Sequence, residues 1–193
     1  MTERAQAHTL EAAVAALLLL VSIGIALQMT AVTPLSASTS SQHLENQLEE
    51  TSEGVLAVSA EAGNLKAAIL YWNSTSNTYH NATVEYYYTE DPPATLSFGR
   101  TLTNTFDERN VAYNVYVVYE NQNGNSKRHR MIYRGEPSEH AVTASHTVTL
   151  LSSDQLRDQD GSLNSTTIGE TDNFYIENST SSPGVYNHVR VEV

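Results

Sequence analysis

The chain has 193 residues, a net charge of −12 and no cysteine, which suits one globular domain with an appendage and removes disulfides, zinc–thiolate sites and thiol catalysis together. Its 22 acids against 10 bases argue against a nucleic-acid partner, whose phosphates need lysine and arginine. Lysine occurs only at Lys66 and Lys127, and the acid excess beside abundant serine and threonine fits a high-salt habitat, where screening tolerates self-repulsion.

The first element is an apolar run, Ala12 to Val32, AAVAALLLLVSIGIALQMTAV, with no charge and only Ser22, Gln28 and Thr30 clearly polar. As a helix it measures roughly 31 Å, the thickness of a bilayer core. Three readings fit it: a cleaved secretory signal, a plain membrane anchor, or the core helix of a polymerising surface subunit. A secretory signal fits poorly. Glu3 and Glu11 outweigh Arg4 before the run, and the run exceeds the roughly 7–15 residues of a signal core. The flank after the run lacks Lys and Arg, so the positive-inside bias puts the N-terminus in the cytoplasm and residues 33–193 outside. The sequons Asn73-Ser-Thr, Asn81-Ala-Thr, Asn164-Ser-Thr and Asn178-Ser-Thr all follow the span and are candidate N-glycosylation sites.

Glu11 stands at the mouth of the apolar run. A carboxylate at the hydrocarbon edge is costly unless paired, which makes it a candidate functional residue. The plainer reading is an acid in the first turn of a helix, where the macrodipole favours it.

Beyond Pro34, the positions Leu44, Leu48, Thr51, Val55, Val58, Ala62, Leu65, Ile69 and Trp72 step by alternating fours and threes. That 3.5-residue period predicts a narrow helical seam, packed on its own domain or against sister subunits. Residues 8–73 thus read as one long helix, open to interruption at Pro34 and weakened at Gly54 and Gly63.

From about residue 79 the period becomes two. Val111, Tyr113, Val115, Val117 and Tyr119 share a strand face, and Asn123-Gly124 predicts a hairpin turn. Arg128, Arg130, Ile132 and Arg134 then alternate with His129, Met131 and Tyr133. Further strands are expected at 83–88, 102–106, 141–151 and 185–193, with polar loops at 152–173 and 177–184. Tyr86, Tyr87 and Tyr88 read as half-buried strand residues rather than a binding platform.

No catalytic constellation stands out, so the chain reads as a non-enzyme with no cofactor. Asp154, Asp158 and Asp160 hint at calcium, but Gly161 and the distal acid are misplaced for an EF-hand, and a polar turn is the better reading. His140 and His146 lie too far apart along a strand to chelate one ion.

Arg4-Ala5-Gln6, a short polar stretch, Glu11 and the apolar helix resemble the class III signal of archaeal type IV pilin-like proteins. More narrowly, QAHTLEA and AVTPLSASTSSQHLENQ resemble a family of uncharacterised haloarchaeal membrane proteins of pilin-like character. The resemblance implies a prepilin peptidase that recognises Arg4, Ala5 and Gln6 and cuts after residue 5 or 6. It also implies that Glu11 pairs with the free amine of a neighbouring subunit, two opposite charges neutralising each other where neither could stay bare. The expected organisation is a leader over 1–6, a transmembrane or filament-core helix over 7–33, an amphipathic helical stalk over 34–76 and an extracellular antiparallel β-domain over 77–193. The fold class is α+β. The expected partners are membrane lipid, the peptidase and sister subunits. The expected function is a structural subunit of a cell-surface filament. The alternative is an anchored surface protein that never polymerises and binds a ligand or partner through its head.

Overall fold

The structure is a computed structural model, which describes residues 2–82, 84 and 86–193, with side chains at 8–28, 41–82, 84 and 86–193. The fold is mixed α+β, with an N-terminal apolar helix and antiparallel sheets. The chain forms two compact units, residues 1–46 and residues 47–193, so the unit boundary falls within the stretch read as a stalk.

Helix α1 runs Thr2–Glu61 and helix α2 Asn64–Ile69. The helical assignment continues through position 34. The break comes at Gly63 instead, whose φ of 72° is left-handed and inexpensive only for glycine. Within the second unit, α1 buries Ser52, Val55, Leu56 and Ser59, and α2 buries Leu65, Ala68 and Ile69. The seam is therefore a domain-packing face from Ser52 onward. The expected seam residues Val58 and Ala62 are instead exposed, Val58 at 63 %, because the buried stripe of this unit is rotated towards Ser52, Leu56 and Ser59.

The main sheet has four antiparallel strands in the order β4-β3-β8-β5: β3 Val115–Glu120, β4 Ser126–Ile132, β5 Ser145–Leu151 and β8 Val185–Glu192. Its inner face carries Val115, Val117, Val148, Leu150, Val189 and Val191, all buried. Asn187 is also buried on that face, and donates from Nδ2 to the carbonyls of Glu120 (2.9 Å) and Glu177 (2.8 Å). The β3–β4 turn closes where Asn123-Gly124 predicted. Gly124 has φ 74°, and Asn121 Oδ1 accepts from the amides of Asn123 and Asn125.

A bulge interrupts the β3–β4 ladder. Val115 faces Ile132 while Tyr116 faces Arg130, which leaves Met131 as the extra residue. Met131 and Ile132 are both buried, and the side-chain alternation reverses beyond them. Arg128 and Arg130 point outward while Ile132 and Arg134 turn inward, so the four do not share one face as their spacing suggested. Tyr133 emerges on the outer side.

Two expected elements differ. The stretch read as a strand over 102–106 is part of helix α3, Ser97–Phe106, whose buried residues Phe98, Leu102 and Phe106 recur every four positions. Gly99 shares that face because a Cβ there would lie 2.6 Å from Pro92 Cγ. The expected polar loop over 152–173 contains a small ribbon, β6 Gln155–Arg157 paired with β7 Leu163–Thr167, pinned to the core by Leu156 and Ile168. A further ribbon joins β1 Trp72–Asn73 to β2 Thr78–Tyr79. Of the strand expected over 83–88, Thr83 and Glu85 lie outside the described residues, and the rest forms only isolated bridges, Val84 with Tyr87 and Tyr88 with Ile132. The strand expected over 141–151 begins at Ser145, which leaves His140 outside it.

Tyrosine hydroxyls tie the irregular segments down. Tyr71 donates to the carbonyl of Gln159 (2.6 Å), Tyr88 to that of His80 (2.7 Å), Tyr119 to that of Tyr175 (2.7 Å) and Tyr186 to that of Ile176 (3.0 Å). Each bond satisfies a loop carbonyl while its ring fills the core.

Candidate functional site

Two features of the described surface call for a function. The first is the apolar helix. Residues His8–Gln28 form one helix long and apolar enough to cross a membrane. None of that stretch is buried, and Leu10, Leu17, Leu18, Leu20 and Leu27 are each more than 60 % exposed. The apolar side chains surround the helix, so no single protein face could cover them. Its polar Ser22 bonds back to the Leu19 carbonyl at 2.9 Å, which removes one unsatisfied group from an apolar setting.

Glu11 is 82 % exposed, and its carboxylate lies 3.8 Å from His8 Nδ1, one turn earlier. Glu11 lies well past the first turn of α1, Thr2–Glu61, where the macrodipole has little effect. The expected recognition residues Arg4, Ala5 and Gln6 have side chains outside the described residues.

The second feature is an aromatic and cationic face on the β-domain. The outer side of β3 and β4 presents Tyr116, Arg128 and Arg130, and the bulge adds Tyr133. The Arg128 guanidinium lies 3.5 Å from the Tyr116 ring centre, and that of Arg130 lies 4.0 Å from Tyr133 and 5.7 Å from Tyr87. Tyr133 donates to Glu136 Oε1 at 2.6 Å. These residues, with the 47 %-exposed Tyr86, border an open depression of about 830 Å³. His129 forms part of its wall, stacked 4.5 Å from Tyr175, and burial lowers its pKa to about 4, so it is neutral near pH 7. The three consecutive tyrosines therefore divide: Tyr88 is buried, Tyr87 half-buried and Tyr86 exposed. The face was not apparent from the sequence. Its one signal was the density of cations in KRHR within an acidic chain.

Arg134 anchors the inner side. Its guanidinium binds Asp107 and Asp91, donates to the Tyr113 hydroxyl at 3.0 Å and lies 4.1 Å from that ring's centre. The Arg134 hydrogen bonds hold the Asp107 carboxyl below its ordinary range, and burial raises the Tyr113 hydroxyl to about 12.

Among the four sequon asparagines, Asn81 and Asn178 are exposed and Asn73 and Asn164 half-buried. Asn164 Nδ2, the atom a glycan would occupy, donates to Asp158 Oδ1 at 2.6 Å. Asp154 pairs with Lys66 at 2.8 Å, and Asp160 accepts from the Ser162 amide and hydroxyl, as a polar turn requires. Among the described residues no group of three or more His, Asp or Glu side chains is placed to hold a metal.

The chain belongs to a family of unknown function, DUF7288, whose model matches residues 4–193. No curated protein and no solved structure matches it.

Proposed function

We propose that the chain is a pilin-like structural subunit of an archaeal cell-surface filament, held in the membrane by its N-terminal helix until assembly. The observation that carries this reading is the helix His8–Gln28, apolar all round and unburied. Lipid covers such a surface before assembly, and sister helices cover it afterwards. A prepilin peptidase removes residues 1–5 or 1–6. Glu11, at the helix edge, then pairs with a neighbour's new amine. The β-domain faces outward, glycosylated first at the exposed Asn81 and Asn178. Its function there is adhesion in a saline medium. The second reading, an anchored protein that never polymerises, is favoured by the aromatic–arginine face, a feature that a purely structural head does not need.

Glu11→Gln separates the two. The variant should insert into host membranes like the wild type yet fail to enter filaments, and the mature N-terminal peptide should begin at Gln6 or Ala7. Unchanged incorporation, or a native chain that still carries residues 1–6, would reject the pilin-like reading. Enzymatic release of N-glycans should shift the mass of the native protein, and unmodified peptides at all four sequons would end the glycosylation claim.

A further inference from the structure

We propose that the outer face of β3 and β4, with Tyr86, Tyr87 and Tyr133, binds an anionic polysaccharide whose sugar rings carry carboxylate or sulfate groups. The inference deepens the outward-facing reading of the β-domain and rests on it.

Charge comes first. The chain has ten Lys and Arg residues and a net charge of −12, yet Arg128 and Arg130 stand two positions apart on the outer face of β4. Arg128 and Arg190 share one carboxylate, Glu192, at 3.2 and 3.0 Å. None of the described carboxylates pairs with Arg130. Glu136, held by Tyr133, offsets one charge at the rim. The patch remains locally positive on an acidic molecule, so it attracts an anion that the rest of the surface repels.

Geometry comes second. A guanidinium stacked on a ring uses its face and keeps its N–H edge free, the edge that binds carboxylate or sulfate bidentately. Arg130 on Tyr133 is held in this way, while Arg128 on Tyr116 already gives part of its edge to Glu192. Tyr86 offers a half-exposed ring to the apolar C–H face of a sugar, and Glu136 and Asn77 stand at the edge of the same depression to bond hydroxyls. An acidic protein segment would use the cations but not the rings. Nucleic acid would use both, but its affinity comes from many neutralised phosphates, more than these few arginines supply.

The test uses the full chain in detergent, so that binding is read independently of where the protein resides. Mobility is measured in gels containing polygalacturonate, dextran sulfate or neutral dextran, at about 0.15 M salt, where screening leaves close contacts in force. Retardation by an anionic polymer and none by dextran is the expected result, and the polymer that acts distinguishes carboxylate from sulfate. Arg130→Met and Tyr86→Ala should each weaken binding about tenfold, the loss of one charge-assisted pair or one stacking contact, with unchanged near-ultraviolet circular dichroism. Retardation by neither anionic polymer, equal retardation by dextran, or full binding in both variants would overturn the proposal. Self-association of the chain that Arg130→Met abolishes would assign the face to a second copy and overturn it too. Protease accessibility of the β-domain on intact cells tests the outward-facing reading separately.

Discussion

Trp72→Ala should lower the stability of the β-domain by about 3–5 kcal/mol, the range for truncating a large buried aromatic. Trp72 is the only tryptophan and is 2 % exposed. Its ring meets Tyr79 edge-on at 5.2 Å and Tyr175 at 4.7 Å, and Nε1 donates to the Asn173 carbonyl at 2.8 Å. Alanine would open a cavity between β1, β2 and the 173–176 segment and leave that carbonyl without its donor. Trp72→Phe should recover most of the volume but not the hydrogen bond, for a loss of about 1–2 kcal/mol. Denaturant unfolding followed by circular dichroism reads both, since the fluorophore itself is removed. An alanine variant within about 1 kcal/mol of wild type would mean that the aromatic cluster around Trp72 carries little of the domain's stability.

Arg134→Met should cost about 2–4 kcal/mol near neutral pH, because it leaves Asp107 and Asp91 facing each other without their shared cation. The effect should depend on pH. Arg134 lowers the folded-state pKa of Asp107, so the pairing contributes stability above the unfolded carboxyl value, about 3.9, and loses it as pH falls through the folded one. The gap between variant and wild type should therefore narrow in acid. A gap of equal size at pH 7 and at about pH 3 would assign the loss to packing of the arginine stem rather than to charge.

Much of this fold was legible in the sequence, because its signals are local. The apolar run, the β3 alternation and the Asn123-Gly124 turn each depend on neighbours within a few residues. Helix α3 was misread because Thr101, Thr103 and Thr105 alternate with Leu102, Asn104 and Phe106 and imitate a strand, while the four-residue stride from Phe98 to Phe106 is the stronger signal. Ribbon β6–β7 was missed because its strands are polar, with burial at Leu156 alone. The candidate site divides in the same way. The apolar helix and Glu11 could be read directly. The aromatic–arginine face could not, because it joins Tyr87 to residues about forty positions later and depends on an extra residue in β4 that no spacing rule announces.

That extra residue links two features which otherwise share nothing. Tyr133 stacks outside and Arg134 pairs inside only because Met131 shifts the strand by one position. Point substitutions can alter either residue alone. A one-residue insertion or deletion between Arg130 and Tyr133 acts as a change of frame, moving a tyrosine into the ion-pair cluster and an arginine onto the surface at once. Along this strand the count of residues matters as much as their identity, because it alone decides which side of the sheet each one serves.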